Sequence, residues 1–387
     1  MISVTVRVEV APDLLRWAVE RAGWDRETIG KRAPKLDEWL AGLQPTLKQL
    51  EKFANDTHTP LGLLFLAKPP GEKVPIPDMR TFGNAEVARP SADMLDAIYL
   101  CQDRQQWYRR YAMVHGLPPL EFVGSATTSD HPALVADRIR NILDFDVDDR
   151  AAFSNWEDAL RRLIDRIESI GVLVMVSGIV GANTHRVLRP EEFRGFALAD
   201  PVAPLIFVNG TDTKAAQIFT MIHELSHIWL GESALSDAAM KAAHGQEHEL
   251  WCNHVAAEVL VPQALLRSDY RGEPTADELE RLANRYRVST LVVLKQLVTG
   301  QLIDWKGFEK RYDEELDRVR AILAARRGEA RGGNCYYTQP LRLSRRFARA
   351  VISSTFEGTT GYRDAYRLLG AKKHETFEKL AAELGVA

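Results

Sequence analysis

Cysteine is scarce in this chain, and long hydrophobic runs are missing. The 387 residues include three cysteines, Cys101, Cys252 and Cys335, which are widely spaced and form no CxxC pair. This pattern indicates reduced thiols rather than a disulfide framework. The longest apolar runs, around 61–67 and 171–180, are too short to cross a bilayer. We therefore expect a protein without disulfides and with no membrane partner.

An excess of one charge sign is also missing. The chain has 50 lysines and arginines against 53 aspartates and glutamates, a formal net charge of −3. This balance excludes a protein that is basic throughout, such as a histone-like binder, although it does not exclude a local basic face. Residues 1–7 lack a basic segment followed by a long apolar core, so we predict no signal peptide. A cytoplasmic location is the expectation.

The length and composition are those of an ordinary globular protein with two or three domains. Apolar residues make up 45% of the chain and charged residues 27%. A chain of this length can bury a large core without disulfides or structural metals. A metal ion bound here is therefore expected to serve chemistry rather than to hold the fold together.

The first seventy residues predict one short strand followed by small helices. Alternating apolar residues predict the strand over Ile2–Val10. The predicted helices run from Pro12 to Gly23, from Asp25 to Ala33, over Leu36–Leu40 and from a cap at Thr46. A segment rich in proline and glycine at 69–77 then predicts a stiff linker. We place the first domain boundary there.

Beyond the linker, helical patterns dominate. Three further strands are predicted, at Val172–Val176, Phe196–Leu198 and Leu205–Val208. The main helices are predicted over Ser91–His115, Asn155–Ile170, Thr213–Leu230 and Glu247–Val261, with shorter ones at 263–300 and an arginine-rich helical tail after Trp305. The predicted fold class is therefore α+β, mostly helical.

The segment His223-Glu224-Leu225-Ser226-His227 has the spacing of a catalytic zinc site. Histidines four positions apart lie one turn apart on the same helix face, so both rings can reach one metal ion. Glu224 lies beside the first ligand and can reach a metal-bound water without binding the metal itself. Zinc acidifies that water and polarises a peptide carbonyl, and Glu224 can act as the general base. The motif predicts a zinc-dependent endopeptidase.

A catalytic zinc ion needs a third protein ligand and one open position. Glu249 and Asn253 form an i, i+4 pair on the next predicted helix, which is the spacing of gluzincins, and Asn253 is expected to orient a ligand histidine. A metzincin would have a third histidine six residues after His227, but that residue is Ser233. Cys252 could in principle bind the metal, but it is expected to fill a small packing position. The alternative third ligands are His248, His244, Glu247 and Asp237.

Four segments resemble the ImmA/IrrE family of metallo-endopeptidases. They are Glu192–Leu198, Leu205–Asn209, Ala216–His227 and Asn253–Pro262. The resemblance implies that the third ligand is at Glu249. It also implies that the protein cuts a partner repressor or antitoxin inside a bacterial cell, which releases stress, phage or mobile-element genes. Phe196, Ala197 and Leu198 look like the edge strand along which such peptidases bind an extended substrate.

The N-terminal unit resembles the Xre-type, lambda-repressor-like helix-turn-helix. The resemblance is carried by Leu15–Ala18, Arg21–Gly23, Glu27–Gly30 and Trp39–Leu47. It implies DNA binding, with Lys31, Arg32 and Lys35 as possible phosphate contacts. The stretch left for a recognition helix is short, and Asp37 and Glu38 add charges that phosphates repel.

With these resemblances, the chain divides into four predicted parts. They are a helix-turn-helix-like domain at 1–70, a linker and helix at 71–130, a zincin-like peptidase domain with a small sheet at 131–304 and a C-terminal helical extension at 305–387. In the extension, Arg342, Arg345, Arg346 and Arg349 form a basic run that is expected to be a solvated helix face, with contact to nucleic acid as the alternative. The alternative function is a DNA-binding transcriptional regulator or antitoxin whose peptidase domain is a sensor or an inactive relic.

Overall fold

The computed structural model describes residues 6–78, 90–151, 153–236, 247–326 and 342–386. They fall into two compact units, the first formed by 6–75 and 90–98 and the second by the other described residues. The chain is mostly helical with a small sheet, which confirms the predicted α+β class. The predicted divisions at 130 and 304 stay predictions, because the second unit spans both positions. Within the described ranges, no helix is long and apolar enough to span a membrane.

The first unit is a cluster of short helices whose ends are set by local sequence signals. The helices are α1 (Pro12–Arg21), α2 (Arg26–Arg32), α3 (Leu36–Leu40), α4 (Leu47–Asp56) and a 3-10 turn at Leu61–Phe65. Asp25 caps α2 by accepting a hydrogen bond from a backbone N–H, and Thr46 and Gln49 form a capping box at the start of α4. The unit has its own apolar core, whose fully buried residues include Leu14, Leu15, Leu50 and Leu64.

The prediction of a strand over Ile2–Val10 is wrong in the part of this segment that the structure describes. From Val6 onward, this segment forms one isolated bridge, between Arg7 and Thr46. Its partner is the cap residue of α4, after which the chain turns into the helix. The bridge therefore cannot extend into a ladder. Residues 1–5 lie outside the described part of the chain.

The second unit contains the sheet and the longer helices. The strands are β1 (Leu173–Ser177), β2 (Ile179–Val180), β3 (Asn183–Val187), β4 (Gly195–Leu198), β5 (Leu205–Asn209) and β6 (Ala234–Ser236). The helices that follow α4 in the chain are α5 (Ala92–Val114), α6 (Pro132–Leu143), α7 (Val147–Ala151), α8 (Trp156–Ser169), α9 (Lys214–Leu230), α10 (Glu247–Leu260), α11 (Gln263–Asp269), α12 (Ala276–Tyr286), α13 (Thr290–Thr299), α14 (Phe308–Arg326), α15 (Arg345–Phe356), α16 (Tyr362–Leu369) and α17 (His374–Leu384).

The main sheet has the strand order β1-β5-β4-β6, and β2 and β3 form a separate hairpin. β1 and β5 are parallel, whereas β4 is antiparallel to both β5 and β6. The prediction that Phe196, Ala197 and Leu198 form an edge strand is therefore wrong. β6, which follows α9 in the chain, pairs with the side of β4 that β5 leaves open. These three residues are also at most 2% exposed.

α9 is the central helix of the second unit. Every residue from Gln217 to Trp229 is buried, although this stretch includes two histidines, a glutamate and a serine. The helix packs against β4, β5, α8 and α10. A helix that is apolar around most of its circumference is stable only when it is enclosed in this way. The enclosure places both motif histidines in the protein interior.

Candidate metal centre

Local signals fix where α9 begins and ends. Thr213 caps the helix by accepting a hydrogen bond from a backbone N–H of the first turn. Gln217 Nε2 donates to two carbonyls of the preceding turn, at 3.1 and 2.6 Å. Gly231 ends the helix with φ 73°, a conformation that glycine adopts without strain. These contacts fix the register of the helix and therefore the directions of the motif side chains.

His223, His227 and Glu249 bring their ligand atoms together around one point. Nε2 of His223 lies 3.2 Å from Glu249 Oε2, and Nε2 of His227 lies 3.0 Å from Glu249 Oε1. The two Nε2 atoms are 3.3 Å apart. The histidines are fully buried and Glu249 is 2% exposed. Among the described residues, these three side chains form the one His/Cys/Asp/Glu group that is close enough to share a metal ion.

α10, which carries Glu249, is anchored near both of its ends. Near its start, Trp251 Nε1 donates to the Asp130 carbonyl at 2.8 Å. At its end, the fully buried Arg150 donates to the Leu260 carbonyl at 2.8 Å. These contacts hold the helix, and hence the glutamate in its first turn, against α9.

The electrostatics of the group match metal ligands. Burial opposes ionisation of Glu249, but the electrostatic influence of His223 and hydrogen bonds from both histidines outweigh it and hold the pKa of Glu249 well below its usual range. Burial is the largest influence on His227 and lowers its pKa, although the Glu249 carboxylate opposes this change. An ionised carboxylate and a neutral imidazole are the forms that bind metal ions.

Glu224 is fully buried and lies against the first residue of β4. A Cβ atom placed on Gly195 would be 2.9 Å from Glu224 Oε1 and 2.8 Å from the Phe207 carbonyl oxygen. Because glycine lacks that atom, the carboxylate can come close to the β4 backbone. Glu224 is not one of the three grouped side chains. Its position is therefore that of a group beside the metal centre rather than of a fourth ligand.

Asn253 was expected to orient a ligand histidine, but in this structure it makes no hydrogen bond to either motif histidine. Asn253 is 3% exposed, and neither Oδ1 nor Nδ2 has a hydrogen-bond partner among the described residues. Its role toward a ligand histidine stays a prediction. Its neighbour Cys252 is fully buried, and burial together with the Glu249 and Glu224 carboxylates raises the pKa of its thiol well above the ordinary value. A neutral thiol fits the packing position expected for Cys252.

The alternative third ligands that the structure describes lie apart from the metal group. His248 is partly exposed, and its Nδ1 is 2.7 Å from Glu232 Oε2. Glu247 is exposed at the first position of α10. Asp237 and His244 lie outside the described residues. The geometry therefore favours the Glu249 assignment over both described alternatives.

The three expected DNA contacts, Lys31, Arg32 and Lys35, are all exposed in the first unit. Nζ of Lys31 lies 2.6 Å from Glu27 Oε1. The Arg32 guanidinium lies over the Trp24 ring, 5.9 Å from its centroid. Two of the three cations thus contact side chains of their own unit, and their role toward DNA stays a prediction.

Three features of this region were not predicted from the sequence. They are the pairing of β6 with β4, the approach of Glu224 to Gly195 and the burial of Arg150. Gly195 lies in a segment that the family resemblance already marked, but no local pattern shows which side chain faces it. The other two depend on contacts between segments far apart in the chain.

Comparison with known families supports the peptidase interpretation of this region. Residues 167–298 match the IrrE N-terminal-like domain of peptidase family M78. Residues 343–383 match DUF8813, a domain of unknown function. No curated protein matches the chain. The chain therefore carries a peptidase-family domain, and the buried His-His-Glu group lies inside it.

Proposed function

We propose that this protein is a zinc-dependent endopeptidase of the gluzincin type. The proposal is carried by the convergence of His223 Nε2, His227 Nε2 and the Glu249 carboxylate inside a peptidase-family domain. Two imidazoles and one carboxylate form a known ligand set of catalytic zinc, which keeps a further position open for water or substrate. Magnesium and calcium prefer oxygen ligands, so a set with two nitrogen donors favours zinc.

Glu224 is the residue that we assign to proton transfer. Bound zinc would polarise the scissile carbonyl and acidify a water molecule. Glu224 would accept a proton from that water as the water oxygen attacks the carbonyl carbon, and would then donate it to the amine nitrogen as the C–N bond breaks. Glu224 is fully buried beside Gly195, and close packing of this kind limits the movement of the carboxylate and so reduces the reorganisation that the reaction requires.

We propose that the substrate is a partner protein, either a repressor or an antitoxin. The support is the resemblance of residues 192–262 to the ImmA/IrrE family and the match to the IrrE N-terminal-like domain. An extended substrate could not add to β4, because both sides of that strand are already paired.

The proposed activity is tested with a repressor or antitoxin encoded beside the gene and with an unbiased peptide library, both analysed by mass spectrometry. We expect Glu224→Gln to reduce cleavage about 10²–10⁴-fold while the bound zinc is retained. Glu121→Gln, at an exposed position, is the matched control and should cleave normally. Equal cleavage by wild type and Glu224→Gln would contradict the proposal.

The ligand assignment is tested separately by measuring zinc per chain after dialysis against a weak chelator. Glu249→Gln keeps the size of the side chain but loses the charge that the metal requires, so retained zinc should fall at least about tenfold. Glu247→Gln changes an exposed residue of the same helix and should retain zinc like the wild type. Unchanged zinc in Glu249→Gln would require a different third ligand.

A further inference from the structure

The second unit contains a polar cavity that the proposed peptidase mechanism does not use. Its volume is about 560 Å³. Its walls come from α5, the segment after α5, α8 and α15. The lining side chains that this argument uses are Tyr108, Asp165, Glu168, Arg345, Arg346 and Arg349. α15 belongs to the part of the chain that matches the domain of unknown function.

Three arginines of α15 share this cavity. Arg346 Nε donates to the Tyr108 hydroxyl at 2.8 Å and its Nη1 to the Glu168 carbonyl at 3.4 Å. Arg349 Nε donates to the Leu384 carbonyl at 3.1 Å, and Arg345 lies 3.8 Å from Asp165. In the described structure, these contacts use at most two of the five N–H groups of each guanidinium. The remaining N–H groups can bind an anion in the cavity.

Glu168 is the second observation that points to a ligand. The residue borders the cavity and is 7% exposed, and its buried Oε1 has no hydrogen-bond partner among the described residues. Burial raises the pKa of Glu168 to about 7, although hydrogen bonds from Ser344 and from the Arg346 backbone oppose this change. Near neutral pH a large fraction of the carboxyl groups therefore carry a proton and can donate a hydrogen bond.

The sequence predicted a solvated helix face for this basic run, and the cavity changes that interpretation. Arg345 and Arg349 are exposed, but they border a concave space together with Tyr108 and Glu168, which come from other helices. Arg345 and Arg346 also lie in the first turn of α15, where the helix dipole favours negative charge. On a helix face that is exposed only to solvent, residues of other helices would not surround a common cavity in this way.

We propose that this cavity binds a small phosphorylated molecule that carries hydroxyl groups, such as a sugar phosphate or a nucleotide. Guanidinium groups match the geometry of phosphate oxygens and bind them in pairs. Ser169, Ser353 and Asp165 also line the cavity and can bind hydroxyl groups. The volume lies within the range of small-molecule sites. A space of this size accepts one phosphorylated unit rather than a nucleic acid duplex.

The proposal is tested by calorimetry and thermal shift on the full chain. The probes are ribose 5-phosphate, adenosine monophosphate, inorganic phosphate, ribose and a DNA duplex. We expect ribose 5-phosphate or the nucleotide to bind at least tenfold more tightly than inorganic phosphate, and ribose not to bind. The measurement is repeated on metal-free protein, where binding should be unchanged, so its result does not depend on the peptidase proposal.

Two variants test whether the ligand binds in the cavity. Arg345→Gln alone should weaken binding severalfold, and Arg345→Gln with Arg349→Gln should weaken it at least tenfold. Arg363→Gln removes an exposed charge from α16 and is the matched control. Circular dichroism shows whether each variant is folded. Absence of binding at millimolar concentrations, equal binding by the control and the double variant, or tighter binding of the DNA duplex would overturn the proposal.

Discussion

Gly195 is the residue at which the sheet comes closest to the proposed general base. A Cβ atom there would lie 2.6 Å from Thr220 Cγ2, 2.8 Å from the Phe207 carbonyl oxygen and 2.9 Å from Glu224 Oε1. We expect Gly195→Ala to destabilise the protein by about 1–3 kcal/mol through overpacking. It should also reduce peptide cleavage, because the Glu224 carboxylate must move. Thermal unfolding and the cleavage assay measure the two effects.

Gly30→Ala is the matched control for this substitution. Gly30 lies in α2, and a Cβ atom there would meet no atom within 4 Å. Alanine favours the helix over glycine by about 1 kcal/mol, so this variant should be equal to or more stable than the wild type. If Gly195→Ala kept both its unfolding temperature and its activity, the close approach of Glu224 to β4 would be wrong.

Glu168 should make stability depend on pH in an unusual direction. Its pKa is raised from 4.5 to about 7, chiefly by burial. The folded state therefore holds a proton that the unfolded state releases, and stability should fall as pH rises from about 5 to 7. The loss is about 3 kcal/mol at most. Urea unfolding at several pH values, in buffer without phosphate, measures it.

Glu168→Gln should remove most of this fall in stability between pH 5 and 7, because glutamine does not ionise. Glu121→Gln, at an exposed position, should leave the pH profile of the wild type unchanged. A profile that stayed the same in Glu168→Gln would show that other groups control stability in this range.

Relations that depend on spacing within one helix could be predicted from the sequence. Contacts between segments that are far apart in the chain could not. His223 and His227 share a face of α9 because they are four positions apart. The pair Glu249 and Asn253 could be placed on one helix for the same reason. The contact between Glu224 and Gly195 joins α9 to β4, and no periodic pattern in either segment contains it.

At the scale of elements, Arg150 ties together the ends of two helices. It is fully buried and donates to the carbonyls of Leu260, at the end of α10, and Tyr286, at the end of α12, at 2.8 and 3.2 Å. We expect Arg150→Met to destabilise the protein by about 2–4 kcal/mol, because these buried carbonyls lose their donor. Zinc affinity should fall as well, since α10 carries Glu249. Thermal unfolding and retained zinc are the measurements.

Arg138→Met, on the exposed side of α6, is the control for charge loss and should change neither quantity appreciably. If Arg150→Met weakened zinc binding without lowering the unfolding temperature, a structural role for Arg150 would be wrong. If it changed neither, the carbonyls would have other donors.

Elements with strong end signals were predicted well, whereas the three-residue strand β6 was not predicted. The cap at Thr213 and the glycine at 231 bound α9 within one residue of the prediction. β6 has three residues, too few for an alternating pattern, and it is stable only because β4 is beside it. Because β6 was not predicted, nothing in the sequence contradicted the edge position that the family resemblance implied for β4.

At the scale of the whole molecule, different parts of the chain match different protein families. The His-His-Glu group lies within 167–298, and the arginine cavity takes its basic wall from 343–383. α8 contributes to the cavity through Glu168, and the same helix packs against α9. One helix of the second unit, α8, therefore borders the cavity and also packs against the helix that carries His223 and His227.

The first unit is the part of the molecule for which a role in DNA binding was predicted. Its α3, at the position of a recognition helix, has only five residues. Leu36 and Trp39 are buried in the unit, while Asp37 and Glu38 are exposed. The exposed side of this helix thus presents two carboxylates, which phosphates repel, and no arginine, lysine, asparagine or glutamine side chain for base edges.

We therefore expect the full chain to bind its own promoter no more tightly than a random duplex of equal length. Fluorescence anisotropy with both duplexes, from 50 to 200 mM salt, measures this difference. Weak binding through Lys31, Arg32 and Lys35 should disappear as salt rises, because it rests on phosphate contacts alone. A Lys35→Gln variant should weaken binding to both duplexes equally. Lys52→Gln changes an exposed residue of α4 and is the control. A preference for the promoter that persists at 200 mM salt would contradict this expectation and support the alternative function, a DNA-binding transcriptional regulator.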